Sequence, residues 1–289
     1  MKRIVVLLLA FVLILSLGAC AGKEETPEAV APEAEEQTEK GDLADGIYFA
    51  MEDEFADSGW KSTVTLKVEG GEIVSADWNA VNILGGVDKK TFSKDGDYGM
   101  KEFGNAQSHW HEQAQEVEAY LVQTQDPTAI EYKDDEGHTD AIAGVSVHVN
   151  DFFELAKKAL DKEPIELGQY EDGAYHAQAK EFVNGWKDTV DLTVLNGHIL
   201  SVSWDGISEE DPEITKKTAS ADGSYGMKEE GNAQSHWHEQ AQKAEAYLLE
   251  TQDPRKIDYS DDQGHTDAIS GVSIGVNGFF DLAKEALEK

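Results

Sequence analysis

Two serine hydroxyls close a ten-residue stretch that the chain carries twice, Gly137-His138-Thr139-Asp140-Ala141-Ile142-Ala143-Gly144-Val145-Ser146 and Gly264-His265-Thr266-Asp267-Ala268-Ile269-Ser270-Gly271-Val272-Ser273. In each copy an acid, Asp140 or Asp267, stands ahead of a turn of small residues, and Thr139 or Thr266 precedes the acid. A glycine in such a turn, Gly144 or Gly271, lets backbone N–H groups come close to an oxyanion, and the hydroxyl beside it can be esterified. That is chemistry for holding a phosphate. A Gly-x-Ser turn alone reads more simply as a tight connection between strands. The duplicated context is what favours the chemical reading.

The pattern Asp-x-x-(Ser/Ala)-Gly-Val-Ser resembles the Asp-x-x-Ser-Gly-Ala-Thr motif of the FMN-binding domain family, which includes subunits of the sodium-pumping NADH:quinone oxidoreductase and of the Rnf complex. The resemblance implies FMN carried as a phosphoester on the last hydroxyl, Ser146 and Ser273, placed there by a separate FAD:protein FMN transferase. Asp140, Asp267, Thr139, Thr266, Gly144 and Gly271 are the surrounding cofactor-site residues by position in the motif. The chain departs from the pattern with serine for threonine at the acceptor, valine before it, and Ala143 in the first copy. Serine is esterified by phosphate as threonine is.

A second constellation is longer. Gly104-Asn105-Ala106-Gln107-Ser108-His109-Trp110-His111-Glu112-Gln113-Ala114-Gln115 recurs unchanged at 231–242, although other parts of the repeat, such as 79–95 against 205–222, have diverged. Something restrains this segment. His-x-His invites a metal, but on a helix positions i and i+2 point about 200° apart and cannot share one ion; no metal site is expected here. Imidazoles can instead donate to a flavin carbonyl or phosphate, which makes His111 and His238, with His109 and His236, candidates to lie beside the ring; helix-start capping explains them equally well. Trp110 and Trp237 open an apolar stripe and read first as core anchors. Tyr98-Gly99-Met100 and Tyr225-Gly226-Met227 could cover a ring or plug the core.

These residues need elements to place them. The chain is an internal repeat with a period of 127 residues, too long for a solenoid unit and right for tandem domains. The boundaries fall at 45–160 and 172–289, with a connector at 161–171. Val64, Leu66 and Val68, like Val190, Leu192 and Val194, alternate with polar residues as in a half-buried strand. Gly70-Gly71 and Asn196-Gly197 follow as hairpin turns, and a third strand should end at Trp78 or Trp204. Trp110, Ala114, Val117 and Leu121 predict an amphipathic helix, ended by Asp126-Pro127. After the serine motif a short strand over Val147 to Val149 and a last helix containing Phe152, Leu155, Ala156 and Ala159 are expected. The fold class is therefore α+β, two tandem repeats, each an antiparallel sheet packed with two helices.

The formal charge is −34, which excludes nucleic acid as a partner. Cys20 is the single cysteine, so no intramolecular disulfide can form. Lys2 and Arg3, the apolar run Ile4 to Leu15 and Leu17-Gly18-Ala19-Cys20 read as a lipoprotein signal over 1–19, with lipid on Cys20. Residues 20–44 then form an acidic tether of Glu, Ala, Pro and Thr, spanning roughly 25 Å r.m.s. as a coil. The chain resembles flavinylated lipoproteins of extracellular electron transfer. That resemblance implies a lipid-anchored carrier on the extracytoplasmic face of the cell membrane, taking electrons from a membrane quinone-linked donor, passing them to an extracellular acceptor and turning over no substrate of its own. The alternative is a structural lipoprotein, or one that binds flavin or another phosphorylated ligand without a covalent bond.

Overall fold

The computed structural model describes residues 43–288 except 229, 230 and 232. The signal segment, Cys20 and nearly all of the tether lie outside the described residues.

The alternation read from the sequence becomes a three-stranded antiparallel sheet in each repeat. In the first, β1 (Gly46–Met51), β2 (Trp60–Glu69) and β3 (Glu72–Asn82) lie in the order β1-β2-β3, and Ala50, Val64 and Trp78 stand opposite one another across it. Short helices α1 (Lys89–Lys94) and α2 (Met100–Phe103) follow, then the long helix α3 (Trp110–Thr124) and the last helix α4 (Asn150–Leu160). The second repeat gives β4 (Gly173–Gln178), β5 (Trp186–Leu195), β6 (His198–Ser208), α5 (Lys216–Ala221), α6 (Trp237–Thr251) and α7 (Asn277–Leu287), with its sheet ordered β4-β5-β6. No helix among the described residues is long and apolar enough to cross a membrane.

Both hairpins turn through two residues of positive φ, Gly70 and Gly71 at 62° and 76°, Asn196 and Gly197 at 54° and 75°. That geometry matches the twist of the flanking strands and explains the residue types. One face of each sheet takes the long helix and the last helix. In the first repeat Trp110, Ala114, Val117 and Leu121 of α3 and Phe152, Phe153, Ala156 and Ala159 of α4 share a core with Tyr48, Val64, Leu66 and Trp78. Trp78 packs edge-on to Trp110 at 5.3 Å between ring centroids. The second repeat has its own core, in which Trp204, Trp237 and Phe279 hold the equivalent places.

Three sequence expectations need correction. Val147 to Val149 form no strand: the Val147 N–H goes to the Gln113 side chain and the Val149 N–H to Gly137 O, which leaves no ladder for a neighbour. The third strands run past Trp78 and Trp204 to Asn82 and Ser208. The long helices end on Gln125 and Gln252, both left-handed, with Asp-Pro only afterwards. Each glutamine then spans to the sheet, Gln125 accepting from Ile73 N at 2.7 Å and donating to Ile73 O at 2.8 Å.

The connector at 161–171 is bonded to both repeats. Ile165 N donates to Ile47 O at 2.7 Å and Gly168 N to Asn196 O at 2.9 Å. Gly168 is required there, because a Cβ would sit 1.9 Å from Gly197 O. The sheets also meet directly: Asn196 Nδ2 donates to Thr65 Oγ1 at 2.8 Å, Thr193 Oγ1 to Gly86 O at 2.7 Å, and Ser201 Oγ to Asn82 O.

Candidate functional site

The serine motif is an ordered loop between the long and last helices, and its threonine holds it in shape. Thr139 Oγ1 donates to Glu131 O at 2.7 Å and accepts from Ala141 N at 3.0 Å; Thr266 does the same with Asp258 O and Ala268 N. Both threonines are buried. Their hydroxyls are thus committed to the loop itself, a staple where a cofactor contact was expected. Ile142 and Ile269 dip into the two cores and pin the other side.

Beyond that pin the chain returns to the surface. Gly144, Ser146, Gly271, Ser273, Asp140 and Asp267 are all exposed. Gly144 and Gly271 have φ of 80° and 73°, the left-handed conformation that other residues avoid. Asp140 lies 3.2 Å from Lys133 Nζ, an exposed pair of small energetic weight.

Each serine is held from below by a buried glutamine. Gln113 Oε1 accepts from Ser146 N at 2.7 Å, from Val147 N at 3.2 Å and from Ser146 Oγ at 3.3 Å. Gln240 accepts from Ser273 N, Ile274 N and Ser273 Oγ at 2.7, 3.3 and 3.4 Å. Both side chains are 1% exposed. The two segments that the sequence repeats most faithfully therefore meet at this hydrogen bond, which gives the unchanged twelve residues a physical reason. It also corrects one expectation: the N–H groups of Ser146 and Val147 are already taken by Gln113, so they form no open nest for a phosphate. The hydroxyl makes only the longest of the three contacts, so esterifying it would leave the two backbone bonds intact.

The histidines lie four and two residues ahead of that glutamine. The helix starts at Trp110, so His109 occupies the extended cap position, where its N–H reaches Glu112 Oε2 at 2.8 Å. The argument from i, i+2 divergence therefore does not apply, because His109 lies outside the helix; the His109 and His111 rings stack at 5.5 Å, 15° apart. His111 Nδ1 lies 2.9 Å from Ser93 Oγ, and burial lowers its pKa. His238 and Ser220 repeat the pair at 2.9 Å. Trp110 and Trp237 are core anchors, 3% and 2% exposed.

Over each tryptophan ring lies a lysine, buried in the second repeat and half-buried in the first, which sequence reasoning missed. Lys216 Nζ stands 4.4 Å over the Trp237 ring and 3.2 Å from Asp188, whose second oxygen accepts from Trp204 Nε1 at 3.3 Å. Lys216 and Asp188, with Trp186, Tyr225 and Gly278, line a cavity of about 350 Å³. In the first repeat Lys89 lies 4.5 Å over Trp110, but Ser62 replaces the acid. Burial lowers the Lys89 pKa to about 8, and Trp78 Nε1 has no hydrogen-bond partner among the described residues. There Phe92 packs on Trp60 at 5.5 Å, whereas the second repeat has the smaller Ala219.

No known protein family matches the chain, and no curated protein does. Two solved structures are similar to part of it. A solution NMR structure of a Clostridium thermocellum protein is 53% identical over 45% of this chain and the whole of its own, with a TM-score of 0.36. A crystal structure of a Clostridium perfringens protein is 28% identical over 41% of this chain and 87% of its own, with a TM-score of 0.33. Neither description states an activity or a ligand.

Glu118 and Glu245, on the long helices, complete the support of the sheet. Glu118 Oε1 accepts from Trp78 N at 2.7 Å and Lys90 Nζ at 2.6 Å, and Lys90 also reaches Asp77 at 2.5 Å. Glu245 takes Trp204 N at 2.6 Å and Lys217 Nζ at 2.8 Å. Burial raises the pKa of both carboxyls, with the lysines opposing it.

Proposed function

We propose that the protein is a lipid-anchored, extracytoplasmic electron carrier that holds FMN as a phosphoester on Ser146 and Ser273. The observation that carries this reading is the pair of exposed serine hydroxyls, each fixed on a left-handed glycine turn by a buried glutamine. A fixed, exposed hydroxyl is what an external FAD:protein FMN transferase needs. FMN, when bound, supplies reversible electron uptake and release; the chain's residues place it. His111 and His238, two residues before the glutamines and turned toward Ser93 and Ser220, offer imidazoles on the same helix end. Lys216 and the cavity beside Trp186 and Tyr225 offer a cation and apolar walls in the second repeat. The acidic surface keeps the domains dissolved beside an anionic membrane while lipid on Cys20 holds them there, so that electrons pass from a membrane quinone-linked donor to an extracellular acceptor.

Intact mass of the mature protein from cells that make the transferase tests this, since each attached FMN adds one fixed mass. Two additions mapped to Ser146 and Ser273 are expected, with Ser273 filled first because Ala143 lacks the hydroxyl of Ser270 and the first repeat is tighter about Phe92. Flavin that leaves on denaturation, or none, defeats the covalent reading.

The glutamines give a second expectation. Gln113→Glu and Gln240→Glu keep the oxygen that orders the turn but set a negative charge about 3.3 Å from the acceptor hydroxyl. Charges that close repel by about 1–4 kcal/mol near a protein surface, so attachment of the FMN phosphate should slow by about tenfold or more while circular dichroism stays native. Attachment at the wild-type rate would show that the hydroxyl does not face this oxygen when it reacts.

A further inference from the structure

We infer that the first repeat carries a site for one divalent cation of the zinc type, formed by Glu136, His138 and His148. One ligand atom from each of the three lies within 4.8 Å of the others. Glu136 Oε2 is 4.0 Å from His148 Nε2, and the His138 and His148 ring centroids are 4.3 Å apart. Ligands on a tetrahedral zinc ion, with bonds of about 2.0–2.2 Å, stand about 3.3–3.5 Å apart. Rotation of the Glu136 and His148 side chains, both exposed, would close these separations onto an ion beside His138.

The chemistry of the donors agrees. Two imidazoles and one carboxylate are the donor set of a three-ligand zinc site, with water in the fourth position. Asp134 accepts from His138 Nδ1 at 2.8 Å, which leaves Nε2 of the neutral ring as the lone-pair nitrogen. A carboxylate behind a ligating histidine fixes the ring and raises its basicity. Asp134 is itself held by His138 N and Glu136 N at 3.1 Å each, so the loop presents the ring in one orientation.

The second repeat serves as an internal comparison. It keeps the acid and one histidine, Asp261 and His265 at 2.6 Å, but Gln263 and Gly275 stand where Glu136 and His148 would be. A histidine bound to its aspartate is thus common to both loops. Only the first adds two further donors around it, so the site belongs to that repeat and the stoichiometry should be one ion per chain. It is separate from the stacked pair His109 and His111, on which the expectation of no metal rested.

The test is equilibrium dialysis and calorimetry of the full chain with zinc chloride after chelator treatment, at neutral pH. One saturable ion is expected. Loss of an outer partner of a metal-bound histidine weakens binding by about 10- to 100-fold, and removal of a ligand should do at least as much, so His148→Ala and Glu136→Gln should each weaken it by more than about tenfold. Both side chains are exposed, and circular dichroism should be unchanged. His265→Ala, in the second repeat, should leave affinity and stoichiometry as they are. Absence of saturable binding would overturn the site, as would binding that His148→Ala and Glu136→Gln leave unaltered, or equal loss in His265→Ala.

Discussion

With Ser146 and Ser273 both changed to alanine, the protein made beside the transferase should come off a denaturing column colourless, while each single variant should keep one FMN. The alanine deletes the oxygen proposed to bear the phosphoester and little else. The side chains are exposed, the backbone N–H groups of 146 and 273 still reach Gln113 and Gln240 at 2.7 Å, and the loop is pinned independently by Thr139 with Ile142 and by Thr266 with Ile269. Exposed changes of this kind shift stability within about 0.5 kcal/mol. Loss of flavin without loss of fold therefore points to the hydroxyl. Asp140→Asn and Asp267→Asn should lower attachment without removing the acceptor, since neither carboxylate is buried. The measurement is peptide mapping beside the absorbance of the denatured chain. FMN that persists in the double variant would move the attachment to another side chain.

What could be read from the sequence was what is local. Val64, Leu66 and Val68 show their strand by alternation, Asn196-Gly197 shows its turn by residue type, and Trp110, Ala114, Val117 and Leu121 show one helix face. The same locality misled at Val147 to Val149: the residues suit a strand, but a strand needs a partner, and here a glutamine 34 positions away takes the N–H instead. His109 misled in a similar way. Its spacing to His111 argues from helical geometry, yet it sits at the cap, where the chain has not begun to turn.

The Gln113 to Ser146 contact spans 33 positions, so neither motif alone reveals it. A trace was present in the unchanged twelve residues, whose restraint had no local cause. The pairing of Lys90 with Glu118 left no such trace. A lysine on a short helix and a glutamate on a long one look like solvated charges until the fold brings both against β3. Similarly, Glu136, His138 and His148 lie near each other in sequence but are grouped only by the fold of the loop.

Lys90→Met should destabilise the fold by about 3–5 kcal/mol, the usual cost of leaving one member of a buried ion pair without its partner. Lys90 and Glu118 side chains are 12% and 11% exposed, so water screens them poorly. Burial works against the Lys90 ammonium, but Asp77 and Glu118 together outweigh it and hold its pKa above the ordinary lysine value. Glu118 is raised chiefly by burial, and Lys90 is what restrains the rise. Removing Lys90 releases that restraint, so the folded carboxyl should bind its proton more tightly still than the unfolded one. A native state that binds more protons than the unfolded state loses stability as pH rises through that window. The deficit of Lys90→Met should thus be greatest at neutral pH and shrink as acid protonates Glu118. Adding Glu118→Gln should recover most of it, because the amide oxygen can still accept from Trp78 N and carries no charge. Urea unfolding of the single and double variants at neutral and mildly acid pH measures both effects. A single variant within about 1 kcal/mol of wild type would place the pair among weak surface bridges. A double variant no better than the single would mean that packing of the lysine stem, and not the stranded charge, holds the sheet to its helix.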